Sequence, residues 1–281
     1  MNIFSNSLNK YRNFNICEKI IIVNVIFFVV PFFIRSIFFL FQIPISSYLT
    51  FLKLSPQFSI LFFRPWTIIS YSFVHAGVSH IIWNMLLLYF ASKYFLNLFS
   101  EQKYINTYFL GVISGGFVFL ISYSFFPVFN GVESNLIGSS AGVMAVIIFI
   151  CTYTPYQEIR LLFVNIRMLY IAIFIVIINL IQIPSGNAGG NLAHLGGAFF
   201  GYLYAFNLKK GNDLGYGFEK TWKIVINIFS FDKKSDKIKK NRLKSKSIND
   251  SKQKKIDNIL DKINKSGYDS LTSEEKDYLF K

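Results

Sequence analysis

The chain carries a series of apolar runs, each close to the roughly 20 residues a helix needs to cross a lipid bilayer. Six can be marked, at about 20–42, 80–98, 104–126, 136–153, 166–183 and 190–208. Breakers separate them: Pro44 and Pro56, Pro127 with Gly131, Pro155, and Pro184-Ser185-Gly186. Segments inside a bilayer must satisfy their backbone polar groups internally. The predicted fold is therefore all-α, a polytopic membrane bundle of six transmembrane helices.

Charge divides the chain in two. Residues 1–208 hold ten Lys and Arg against four Asp and Glu, and residues 209–281 hold nineteen against eleven. The net +14 is thus an apolar body, 1–208, followed by a basic tail, 209–281, and not one basic surface. The tail has no nucleic-acid motif and its acids are interspersed, so its lysines are expected to face anionic lipid headgroups, at about 1 kcal/mol each near the surface. In the tail, Ile256, Ile259, Leu260 and Ile263 form a helical stripe, and Thr272 with Glu275 form a capping box. Together they predict a small cytoplasmic helical hairpin. Cys17 and Cys151 give neither a disulfide framework nor a metal spacing. The first apolar run is too long for a signal peptide, so none is expected.

Lys and Arg in the short connections set the orientation. Lys10, Arg12, Lys19, Lys93, Lys103, Arg160 and Arg167 share one side with the tail. Both termini are then cytoplasmic, as six crossings require, and an integral protein of a bacterial cell membrane is expected. The first outer loop, 43–79, is itself apolar and aromatic, which predicts that it lies in the interface or against the bundle.

Ionisable and polar residues inside membrane segments are costly, so each raises a functional hypothesis. The three histidines, His75, His80 and His194, and the pair Ser139-Ser140 all fall near the outer ends of their runs. His80 and Asn84 are four residues apart on one helix face. Gly138 and Gly142, beside Ala141 and Ala145, form one small-residue pair, and Gly197 and Gly201 form another. Such pairs let helices approach closely and bring a serine within reach of His194. A hydroxyl, a base and donors at a helix N-terminus are the minimum for nucleophilic catalysis. Among the carboxylates before residue 209, only Glu133 lies on the outer side, and it is in a loop. The pattern is a Ser–His dyad whose imidazole must be held by something other than a carboxylate. Three histidines in one layer also permit a metal site, but no carboxylate or cysteine joins them and the serines would be unexplained, so no metal and no cofactor is expected.

These residues resemble the rhomboid family of intramembrane serine proteases, in its bacterial type with a six-helix core. "FVHAGVSHIIWNML" (73–86) is similar to the family's His-x4-His-x3-Asn stretch, "GSSAG" (138–142) to its Gly-x-Ser-Gly motif, and "AHLGGAFFG" (193–201) to its Ala-His-x2-Gly-x3-Gly motif. The resemblance implies Ser140 as nucleophile, His194 as base, and His80 with Asn84 as the oxyanion-stabilising pair. Gly138 corresponds to the first motif glycine, His75 to a structural histidine, and Ser139 to a spacer. It further implies cleavage of transmembrane protein substrates near the outer face. The alternative is a catalytically inactive relative that binds membrane helices, and the presence of both Ser140 and His194 argues against it. Three positions depart from the pattern: Ala141 stands for the second glycine, Met144 for a frequent aromatic, and Trp66-Thr67 for a Trp-Arg pair.

The orientation is testable. A reporter enzyme that works only in the cytoplasm, fused after Lys281, is expected to be active. Activity confined to a reporter that works only outside the cytoplasm would invert the topology.

Overall fold

The computed structural model describes residues 14–43, 49–161, 163–229, 272 and 274. The chain divides into two compact units, Met1–Trp222 and Lys223–Lys281. The expected tail hairpin falls outside the described residues, Thr272 and Glu274 excepted.

The first helix, α1 (Ile16–Leu40), starts where the sequence supplies a capping box. The Asn15 side chain accepts from the Glu18 N–H at 3.0 Å, and the Glu18 carboxylate accepts from the Asn15 N–H at 2.8 Å. Only the first part of α1 is buried, through Cys17, Ile20 and Asn24. Its second half exposes Phe32, Phe33 and Phe39, a surface suited to lipid. The long loop after α1 then folds into two short helices, α2 (Phe58–Phe63) and α3 (Thr67–Ser70), and a 3₁₀ turn over Tyr71–Phe73. It lies against the bundle. Leu54 and Tyr71 are buried, and the Tyr71 hydroxyl donates to the Val112 carbonyl at 2.7 Å. The Trp66 indole N–H donates back to Phe51 within the loop at 2.8 Å.

Five further helices follow: α4 (Val78–Leu98), α5 (Glu101–Phe125), α6 (Ser140–Tyr153), α7 (Met168–Ile181) and α8 (Ala188–Lys209). With α1 they coincide with the six apolar runs. Among the described residues, α1, α4 and α5 are long and apolar enough to cross a membrane, and α6 and α7 are shorter apolar helices. The chain is an integral membrane protein, mostly helical. At 14 residues, α6 spans only about 21 Å at 1.5 Å per residue. The expected run over 136–153 loses its first four residues to non-helical chain. Leu136 exchanges both backbone hydrogen bonds with Leu54, at 2.9 and 3.2 Å, and Gly138 takes φ +107°.

The all-α expectation also misses a small antiparallel hairpin, β1 (Glu158–Leu161) with β2 (Val164–Arg167), in which Glu158 faces Arg167. Its cause is strict alternation, Glu-Ile-Arg-Leu and Val-Asn-Ile-Arg, a period of two that suits a strand. Beyond α8, Asp213 accepts from Lys103 at 2.8 Å and from the Tyr204 hydroxyl at 2.6 Å, tying the end of α8 to the start of α5. Burial raises the Asp213 pKa, but hydrogen bonds from Lys103, Tyr204 and the Gly215 N–H outweigh it and hold the carboxyl below its usual range. A last helix, α9 (Tyr216–Phe229), follows, and its Trp222 stacks on Phe109 with ring centroids 6.0 Å apart.

The centre of the bundle is a seam of small residues on α5, α6 and α8. A methyl added at Gly197 or Gly201 of α8 would collide with the carbonyl of Ala141 or Ala145, respectively. On the other side, a methyl at Gly115 of α5 would meet the Ala141 Cβ at 2.5 Å and the Ala193 carbonyl at 2.7 Å, and one at Gly111 would collide with the Ala145 Cβ. The expected Gly138/Gly142 pairing does not form one helix face. Gly138 precedes α6 and lies under His80, while Gly142 packs on Tyr108 and Val112. The close approach to α8 is made by the backbone at Ala141 and Ala145.

Because the Ala141 carbonyl cannot retreat without moving α6, Gly197→Ala is expected to lower the melting temperature in detergent, at a cost of about 1–3 kcal/mol for overpacking. Gly217→Ala, in α9 with nothing near the added carbon, should be neutral or slightly stabilising. Equal melting temperatures for Gly197→Ala and wild type would contradict the packing described.

Candidate active site

Ser140 is the first residue of α6, with Ser139 as N-cap. At this position the N–H groups of the first turn lack intrahelical partners and the helix dipole favours negative charge. Ser140 is 8% exposed, and its hydroxyl lies 2.6 Å from His194 Nε2. His194 sits two turns inside α8, whose start is capped by Asn187, accepting from the Gly190 N–H at 3.2 Å. The Gly197 and Gly201 contacts with α6 set the distance between these two side chains.

The other nitrogen of His194, Nδ1, lies 2.8 Å from Oδ1 of Asn179 on α7. The sequence reading called for a non-carboxylate partner here without naming it. The signal was present: Asn179 is an amide in the otherwise apolar stretch "MLYIAIFIVIINLI", where an unsatisfied polar group costs several kcal/mol. Asn191 was also passed over. Its amide donates to the Gln182 carbonyl at 2.8 Å, fastening the start of α8 to the chain leaving α7.

His80 is the third residue of α4, and its ring lies over Gly138. A Cβ at Gly138 would come within 2.8 Å of the His80 ring and 3.7 Å of the Ser140 hydroxyl, so glycine is needed both for the space and for its positive φ. His80 Nδ1 accepts from the Ala76 N–H at 3.4 Å, which leaves Nε2 to carry the proton. Asn84, one turn further along, donates one of its two amide N–H groups to the His80 carbonyl at 2.9 Å, and His80 adjoins a cavity. That cavity, about 700 Å³, is lined by Ser140, His194 and His80 together with polar Ser134, Asn135 and Gln182.

Ser139 faces the other way. It is fully buried, and its hydroxyl pairs with His75 Nε2 at 3.2 Å. The two serines thus have separate histidines. His75 packs edge-on against His80, centroids 5.2 Å apart. Burial, and secondarily His80 beside it, pushes His75 down to about 4. Met144 is half-buried on α6.

A model of the rhomboid domain matches residues 63–211, just over half of the chain and all of the elements that carry this site. The chain belongs to the rhomboid family. A family of unknown function (DUF6576) matches residues 246–280, in the tail. The rhomboid is similar to presenilin-associated rhomboid-like protein A, mitochondrial, of Danio rerio, at 26% identity over 54% of this chain and 37% of that protein. It is also similar to RHOMBOID-like protein 12, mitochondrial, of Arabidopsis thaliana, at 26% identity over 53% of this chain and 48% of that protein. The alignments thus span less than half the length of either relative. Both relatives are mitochondrial by name, so the expectation of a specifically bacterial type in a bacterial cell membrane gains no support from them.

His75 gives this rhomboid a pH-dependent stability. In the unfolded chain it binds a proton near 6.5, in the fold only near 4. Its contribution is therefore complete above about 6.5 and is lost as pH falls toward about 4. Melting curves across that window should slope more steeply for wild type than for His75→Gln. Identical slopes would show that His75 does not titrate on unfolding.

Proposed function

We propose that this rhomboid is an intramembrane serine endopeptidase that cleaves transmembrane protein substrates near the outer membrane face. The observation that carries the reading is the 2.6 Å contact of His194 Nε2 with the Ser140 hydroxyl, at a helix start that opens on a cavity lined by both polar and apolar side chains. His194 takes the hydroxyl proton as Oγ bonds to the scissile carbonyl carbon. The carbonyl oxygen gains the charge, and the Ser140 N–H and the His80 Nε2–H face it. The C–N bond then breaks, with the proton passing from His194 to the leaving nitrogen. Water entering through the cavity hydrolyses the acyl-enzyme, again with His194 as base. Each oxyanion donor is worth on the order of 10²–10³-fold in rate. Asn84 spends one amide N–H on the His80 carbonyl, and its second N–H is the further donor of the expected pair. The reaction calls for no cofactor.

Six crossings with both termini cytoplasmic accord with the helix order. The starts of α1 and α5 and the end of α8 gather at one end, through the Ile16 N–H on Glu101 at 3.1 Å and Lys103 on Asp213 at 2.8 Å. The site lies at the other end, by the starts of α4, α6 and α8 and the end of α7. In this reading residues 1–208 form the membrane domain, and the basic tail, 209–281, faces anionic headgroups.

Labelling of the full chain in detergent with a fluorophosphonate probe tests the proposal. Wild type and Ser139→Ala are expected to label, and Ser140→Ala and His194→Ala to lose labelling. Persistent labelling of Ser140→Ala would remove it as nucleophile, and a wild type that neither labels nor cleaves would favour the inactive helix-binding alternative.

A further inference from the structure

We infer that Asn179 is a positioning residue that fixes the tautomer and orientation of His194, making the catalytic unit Ser140–His194–Asn179. The inference rests on the protease reading for its kinetic consequences, although the tautomer itself does not.

The hydrogen bonds allow one arrangement. The Asn179 amide nitrogen donates to the Ile175 carbonyl on its own helix at 2.8 Å. Turning the amide over would set two oxygens against each other there, so Oδ1 must face His194. An oxygen that only accepts requires a proton on His194 Nδ1, 2.8 Å away. In the neutral imidazole Nε2 is then unprotonated, with its lone pair toward the Ser140 hydroxyl at 2.6 Å. This is the tautomer a general base needs. Without the acceptor the proton is free to sit on Nε2, where it blocks attack, as the Ser-His-Asp template teaches for the loss of its third member.

The placement of Asn179 agrees with this role. On α7 only Met168 and Asn179 are buried, while Ile173, Phe174, Ile177 and Ile181 are exposed. An amide on an otherwise apolar helix is tolerated because both of its polar atoms are engaged. Among the described residues, no Asp, Glu, Lys or Arg lines the cavity, and its other titratable side chain beside His194 is His80 of α4. Asn179 thus does neutrally what a carboxylate does elsewhere: it orients the imidazole without stabilising the imidazolium by charge.

The test compares wild type with Asn179→Leu and Asn179→Asp in the full chain, by cleavage of a reporter transmembrane peptide, pH profile, melting temperature and ¹⁵N NMR of the histidines. Residues that orient an imidazole from outside are worth about 10–100-fold in activity, and Asn179→Leu should lose that much kcat with KM unchanged. Its His194 should also lose the Nδ1–H form that wild type holds at neutral pH. Asn179→Asp restores the acceptor and adds charge, so it should recover most of the kcat. It should also move the acidic limb to higher pH, because a carboxylate holds the proton on His194 longer. Wild-type kcat and tautomer in Asn179→Leu would overturn the inference. So would a pH profile in Asn179→Asp that matches wild type, and this variant decides if Asn179→Leu does not fold. If wild type cleaves nothing, the protease reading fails and the NMR tautomer still judges Asn179.

Discussion

Everything at this site depends on how closely α6 and α8 approach. In lipid there is no hydrophobic gain from bringing two apolar helices together, so van der Waals contact between small residues must hold them. Gly197 and Gly201 lie directly against the carbonyls of Ala141 and Ala145, and Gly111 and Gly115 bring α5 against the other side. Ser140 and His194 each sit one turn or less from these contacts. A hydrogen bond of 2.6 Å between them follows from backbone apposition, before any property of the side chains is considered.

The polar groups follow a second rule: at each one, a neighbour defines which atom faces the cavity. The Ala76 N–H occupies one nitrogen of His80, and the Ile175 carbonyl occupies the amide nitrogen of Asn179. His75 takes up Ser139, so that of two adjacent hydroxyls only one faces His194. Gly138 leaves the space over which His80 is held. The cavity therefore receives directed groups from α4, α6 and α8, while α7 supplies its group one step behind, through His194.

Much of this was legible in the residues. The apolar runs located the helices because lipid imposes length and composition on them. Ser140 and His194 stood out because hydroxyl and imidazole groups at helix ends in such runs need a reason. Other features depend on partners the linear pattern does not reveal. The start of α6 moved inward because a backbone bridge to Leu54, far away in sequence, holds residue 136 extended. Asn84 lies on the same face as His80, as the spacing says, and one of its amide N–H groups is bound to the His80 carbonyl, a detail that spacing cannot decide. The 158–167 hairpin was readable from its alternation but was hidden by the expectation of helices. Asn179 was readable as an amide in an apolar helix, and only the fold reveals that His194 is its partner.

Ala141 is where the sequence departs from the family motif, and its surroundings recast that departure. Its methyl projects at Gly115 and its carbonyl lies on Gly197, so the volume missing from two helices is taken up by the third. Positions 115, 141 and 197 share one small space. Substitutions among them should be strongly non-additive, since residues in direct contact typically couple by about 0.5–3 kcal/mol. The glycine the motif leads one to expect at 141 is thus one member of a three-position set, and an exchange of volume between 115 and 141 could leave the seam intact where either change alone would open or overfill it.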